Sequence, residues 1–353
     1  MTFVVGAGRF VSHGKDVRRV APAIGLYFLA PLVAEFFLGD FPLTMLPLIV
    51  PFAAVYGGGA LLIREVTRRA GRGWPTMLLL ALAYGVIEEG LLTESLFNPN
   101  YLGYHLLGRG FVPALGIAVP WTVFVLTLHT VWSISTPIAL VEESTPDRRT
   151  TPWLRTPGLV TTAVLFAFGV LFTFGGAYAD GHFLASPVEL GVTTAVVVAL
   201  VVIAFRLPRV RGTRPSFPLY DEEPERRAPG PWAVLATAIL AGVAFMLGRD
   251  ALPAWPGAVL MLIALAAAVG LTLAWSARPG WGRWQRFALA CAALLTDSWH
   301  AFTTSPVRAA AAPLVLATHV VFALAALGIV WFGARRVRRG TDAPRTPWEV
   351  RFP

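Results

Sequence analysis

The stretch Tyr84–Tyr101, YGVIEEGLLTESLFNPNY, begins inside an apolar run and then carries Glu88, Glu89 and Glu94 where a bilayer-spanning helix ordinarily carries no charge. A carboxylate at bilayer depth costs roughly 2.5–3.5 kcal/mol on insertion scales, so such residues face protein or water and have a task there. The run that holds them is one of many. Only 14% of the 353 residues are charged, where a soluble chain carries about 25%. Mean hydropathy is +0.64, and apolar runs of membrane-crossing length recur along the chain. The sequence therefore predicts an all-α, polytopic transmembrane helix bundle.

Ten spans are expected, at about 20–38, 43–63, 75–97, 117–141, 157–178, 187–206, 231–248, 256–275, 286–303 and 313–333. Each is near the ~20 residues that cross ~30 Å of hydrocarbon. Charge checks the count independently. With a cytoplasmic N-terminus, alternate segments hold 26 of the 29 Lys and Arg on the inside, leaving Arg109, Arg249 and Arg308 outside. A missed or invented span would scramble that bias, which also puts the C-terminus in the cytoplasm. The net charge of +9 is spread over short loops in this way, which argues against a nucleic-acid partner. Trp74, Trp121, Trp153, Trp232, Trp255, Trp284 and Trp331 fall near span ends, as interfacial anchors do.

The expected organisation is a six-span half over 1–206, a disordered Pro/Arg-rich cytoplasmic linker over 207–230, a four-span half over 231–339 and a cytoplasmic tail over 340–353. The first apolar run reads as a retained helix, since it lacks a small-residue cleavage site. Cys291 is the only cysteine, which excludes an intrachain disulfide. Arg outnumbers Lys 28 to 1, a bias associated with GC-rich bacteria, so the lipid bilayer expected is a bacterial plasma (inner) membrane. Gly57, Gly58 and Gly59 read as a close helix-packing surface.

Helical rise converts position into depth. Glu88 and Glu89 lie roughly 12–14 Å below the outer end of the third span, and His129 lies about 14–18 Å down the fourth. Thr122, His129, Ser133 and Thr136 form one polar stripe on the fourth span, while Glu88 and Ser95 share a face with Tyr84. A second set, Asp297, His300 and His319, comes from the last two spans. Five of the six histidines are in the outer half or outer loops, so a single cavity would open outward. Glu35 lies near enough the outer surface to reach water. Glu65 reads as a solvated partner of its neighbouring arginines, and Glu142 and Glu143 mark the inner end of the fourth span. Asn98, Pro99 and Asn100 read as a helix-ending turn.

Imidazoles and carboxylates suit zinc, and a second Glu can activate a bound water. Glu88, Glu89 and His129 are thus the expected catalytic residues. Glu89, His129, His300 and His319 are the expected metal ligands for Zn²⁺, with Glu94, Ser133 and Asp297 as supporting polar groups. Adjacent acids on one span and a histidine on the next, within residues 84–137, resemble the CPBP family, the CAAX prenyl protease and bacteriocin-processing intramembrane metalloproteases. That family carries EExxxR, FxxxH, then HxxxN or HxxxD. Here Thr93 stands for the arginine and Val125 for the phenylalanine, and no HxxxN or HxxxD follows. The resemblance implies an intramembrane metallohydrolase acting on a membrane peptide or small-molecule substrate. Two other readings use the same residues: a proton- or cation-coupled transporter, and a non-catalytic scaffold whose polar groups orient helices.

Overall fold

The computed structural model describes residues 8–209 and 227–341. Most of the expected linker, and the tail beyond Thr341, lie outside the described residues.

Among these residues nine helical segments are long and apolar enough to cross a membrane. In chain order they are α1 (Val20–Phe37), α2 (Leu43–Arg69), α3 (Trp74–Leu92), α4 (Val119–Ser144), α5 (Thr156–Gly181), α6 (Pro187–Arg206), α7 (Pro231–Asp250), α8 (Ala254–Ser276) and, after α9, α10 (Ala312–Arg339). The tenth expected span is α9 (Arg283–His300), an 18-residue helix. It falls short on apolarity because Gln285, Arg286, Thr296, Asp297, Ser298 and His300 lie along it. Buried neighbours, rather than lipid, cover it: Gln285, Thr296, Asp297, Ser298 and His300 are all buried. A short hairpin pairs β1 (Phe111–Val112) with β2 (Ile117–Ala118) before α4.

Local signals set the helix starts. Proline occupies the first turn of α3, α4, α5, α6 and α7, where its missing N–H costs nothing. Ser186 and Glu189 form a capping box on α6. The third span is shorter than expected. Its helix ends at Leu92, and Glu94 turns the chain with φ +53° while its carbonyl accepts from Phe97 and Asn98 N–H.

Contacts at the two ends bear out the alternation. At the arginine-rich end Arg72 reaches the carbonyls of Phe205 and Leu207, and Arg286 binds Glu143 at 2.6 Å. At the outer end Arg308 pairs with Asp180 at 3.0 Å and His300 with Asp250 at 2.7 Å. α9 therefore runs end to end like the others.

Burial separates the core from the lipid face. In α3 and α4, 67% of the apolar window is buried, against 11% in α5 and α6. One apolar core joins Phe36, Leu128, Trp132, Phe245, Phe287 and Phe322. A second joins Leu26, Val55, Met77, Ile134 and Trp153. Both draw on α1 and α4, which link the two halves of the chain.

The arginine-rich end corrects two expectations. Glu65 is not solvated: it is fully buried, accepts the N–H of Trp153 and Leu154, and pairs with Arg64. Trp153 is not an interfacial anchor either, because its ring lies 3.2 Å under the Arg64 guanidinium. Arg64 also binds Glu142 and the carbonyls of Arg148, Arg149 and Thr151. Glu142 and Glu143 belong to the same lattice, bound to Arg68 and Arg286. Charges this deep are tolerated because every one is matched.

Gly57 shows how tightly α2 meets α1. A Cβ there would sit 2.0 Å from the Tyr27 carbonyl oxygen, whereas one on Gly175 would meet nothing within 4 Å. Gly57→Ala is expected to lower thermal stability in detergent by about 1–3 kcal/mol or more, as overpacking does, with Gly175→Ala near neutral. Equal melting temperatures for the two variants would contradict the packing described.

Candidate functional site

Four stretches of π-helix occur among the described residues: Leu32–Phe37 in α1, Ala53–Gly57 in α2, Glu88–Leu92 in α3 and Leu128–Ser135 in α4. π-Turns are rare and recur at functional sites, because the extra residue re-aims side chains. Here they carry Glu35, Tyr56, Glu88 with Glu89, and His129 with Ser133. All four helices bring their irregular turns to one place.

At that place the acids meet the imidazole. Glu89 Oε1 lies 2.7 Å from His129 Nε2, and Glu88 Oε2 lies 3.2 Å from Nδ1. Ser133 Oγ is 3.2 Å from the same Nδ1. The second oxygen of Glu89 accepts from Thr93 Oγ1 at 3.1 Å and from Ser95 Oγ. Ser95 is in turn fixed by Trp121 Nε1 at 3.1 Å. Tyr56 stacks on the His129 ring, and Tyr84 meets it edge-on. Glycine makes the approach close: a Cβ on Gly85 would be 3.1 Å from that of His129. Glu88, Glu89 and His129 are all buried, and one ligand atom from each lies within 4.8 Å of the others. No other group of three or more such residues is as close among the described residues.

Several expectations change. A regular helix would put Ser95 on the face of Glu88, but the π-turn and the break after Leu92 bring it to Glu89. Of the polar stripe on α4, only His129 and Ser133 reach the site. Thr122 and Thr136 donate to their own helix, to the Ala118 and Val131 carbonyls, as buried threonines commonly do. Glu94 lies outside the cluster, where it accepts from Ala185 N–H at 2.6 Å and ties two outer loops together. His300 is engaged by Asp250, fifty residues away, and His319 Nε2 lies against Gly39. Neither joins Glu89 and His129. Asp297 is fully buried, and neither of its carboxylate oxygens has a hydrogen-bond partner.

One residue was read too blandly and another was passed over. Glu35 does not simply reach the surface: it hydrogen-bonds Tyr56 and faces Glu88 and His129. Asp40, in the turn between α1 and α2, lies within electrostatic range of Glu35, His129 and Arg249. The usable signal was the density of acids near the outer end of α1, which periodicity alone does not interpret.

A family model described as an uncharacterized membrane protein family matches residues 26–339, from the second turn of α1 to the end of α10. The chain belongs to that family. No curated protein and no solved structure matches it. The match covers the four helices that build the acid–imidazole cluster as well as α9 and α10.

Asp40 offers a pH test outside the spans. Burial pushes its carboxyl up from 3.8 to about 6, against the pull of Arg249 and His129. The folded value is above the unfolded one, so folding disfavours the ionised form. Stability is lost as pH rises from about 4 through about 6. Asp40→Asn is expected to raise the melting temperature more at pH 8 than at pH 5. An equal gain at both, or a loss at pH 8, would contradict this account.

Proposed function

We propose that the chain is an intramembrane metallohydrolase that binds a divalent metal, zinc first, at Glu88, Glu89 and His129, with the site opening to the outer side of a bacterial plasma membrane. The observation that carries this reading is the convergence of three buried ligand atoms from α3 and α4 within 4.8 Å. Adjacent acids at this depth exceed what helix association needs. Two carboxylates and one imidazole are an acceptable donor set for zinc with a position left open.

A metal bound there would polarise a substrate carbonyl and acidify a bound water. The chain's own residues do the rest. Thr93 and Ser95 hold one oxygen of Glu89 and leave the other directed at His129. Ser133 at Nδ1 sets the ring orientation, the part an outer partner plays at a ligating histidine. Glu88 Oε2 has no aligned hydrogen bond, which suits it to take and return a proton. Thr93, which stands where the CPBP proteases carry an arginine, donates to Glu89. The expected ligands His300 and His319 drop out of the proposal, and the substrate class that fits is an amide or ester carried by a membrane peptide or small molecule.

Purified protein is expected to carry one zinc per chain by elemental analysis, with Glu89→Gln and His129→Ala at background. Native protein that is metal-free after zinc loading, and whose melting temperature ignores chelator, would remove this function.

The 2.7 Å contact between Glu89 and His129 also favours a second reading. A buried acid–imidazole pair holds and passes a proton unaided, as a proton- or cation-coupled transporter requires. Cysteines at positions 88 and 129 would then react with impermeant thiol reagents from both faces in alternation. Labelling from the outer face alone, under every condition, excludes transport.

A further inference from the structure

α10 carries an exposed stripe along most of its length. Leu316, Val320, Leu324, Leu327 and Trp331 are exposed at spacings of three and four, so they lie on one face of the helix. The opposite face packs inward: Ala326 and Val337 are fully buried, and a Cβ on Gly333 would strike the Phe287 ring. The same spacing carries the stripe on to Arg335 and Arg339, with Phe332 and Arg336 beside it, all of them exposed. The stripe is apolar for five turns and then becomes cationic.

Length puts that end at the level of the lipid headgroups. The 28 residues of α10 span about 42 Å, against ~30 Å of hydrocarbon and about 40–45 Å of bilayer with its headgroups. Gly333 passes Phe287 and Ser144, beside the Arg286–Glu143 pair, and Arg339 lies roughly 9 Å further along the axis. These arginines are unlike those of the buried lattice. Arg64, Arg68, Arg149 and Arg286 all meet carboxylates, whereas no ion pair among the described residues takes up Arg335, Arg336 or Arg339. Two of them rest on rings instead. The Arg335 guanidinium lies 3.8 Å over Trp331, and that of Arg336 5.2 Å over Phe332. A guanidinium held over a ring keeps N–H donors free at its edge, and that edge matches the oxygens of a phosphate.

We propose that Arg335, Arg336 and Arg339 form a binding site for the phosphate of an anionic phospholipid in the leaflet at the arginine-rich end, with an acyl chain lying along Leu327 and Leu324. Charge complementarity selects the headgroup, because a zwitterionic lipid brings its own cation to the same place. Continuity with the exposed apolar ridge selects a lipid over a soluble phosphate. Trp331 and Phe332 stand where ridge and arginines meet, the level that aromatic residues favour at a membrane interface. Each arginine close to an anionic lipid surface contributes about fivefold in affinity. The site is separate from the acid–imidazole cluster and does not depend on a metal there.

The test is native mass spectrometry of the full chain in detergent, titrated with an equal mixture of phosphatidylglycerol and phosphatidylcholine. Native protein is expected to take up phosphatidylglycerol first. Arg335→Gln combined with Arg336→Gln should weaken that first step about 25-fold. Trp331→Leu, which keeps every charge, should weaken it about two- to fivefold. Arg155→Gln combined with Arg278→Gln removes the same charge from the same end and should leave it within about twofold. Equal weakening by the two double variants would reduce the site to diffuse surface charge and overturn it. Equal uptake of the two lipids by native protein would also overturn it. Displacement of the lipid by millimolar inorganic phosphate would make this a soluble-anion site instead. A dimer in phosphatidylcholine that dissociates in the α10 variants would make the face a contact between copies, and the lipid proposal would fall.

Discussion

Charge inside a low-dielectric bundle has to be met by charge or hydrogen bonds from another segment, and the Glu89–His129 contact is where this chain meets that constraint most directly. It crosses from α3 to α4, and these two helices are accordingly the ones lipid touches least. Small residues at the crossing serve the same end. Gly59 leaves room for the ring of Tyr84, and Gly85 lets the His129 Cβ approach, so α3 and α4 come close enough for 2.7 Å contact. The π-turns then aim the side chains. Four helices have irregular turns at one level, and a fold bears that only where side-chain direction outweighs backbone regularity.

The two ends of the bundle treat buried carboxylates differently. At the arginine-rich end, Arg64 lies between Glu65, Glu142 and three backbone carbonyls, above the face of Trp153. The carboxylates of Glu65, Glu142 and Glu143 are all taken. Toward the outer end, Asp297 and His300 each keep at least one buried polar atom without a partner. A matched lattice holds helices in register. A run of unmatched groups leaves room for water, protons or ions.

Much of this was legible in the residues. Span positions and alternation follow from apolar length and arginine placement, which are local properties. Glu88, Glu89 and His129 stood out because a charged or imidazole group within an apolar run has few bland explanations. What escaped depends on tertiary contact. His300 looked available because Asp250, its partner, is fifty residues away. Tyr56 looked like any aromatic in a span, though it lies over His129. Ser95 was assigned to the wrong acid because a uniform helix was assumed, and no pattern in the sequence announces a π-turn. Glu65 and Trp153 were misread for one reason: both sit at a span end, where solvation is the default, and only the fold shows the loop over them.

The composition of α9 bears on how the protein is assembled. With Arg286, Asp297 and His300 along 18 residues, this helix has little to gain from lipid by itself. Arg286 and His300 find their partners in Glu143 on α4 and Asp250 on α7, both made earlier in synthesis. In the folded bundle this helix depends on the wall that α4 and α7 present more than on contact with lipid. Truncation before α10 would strand a segment that neither water nor hydrocarbon accepts well.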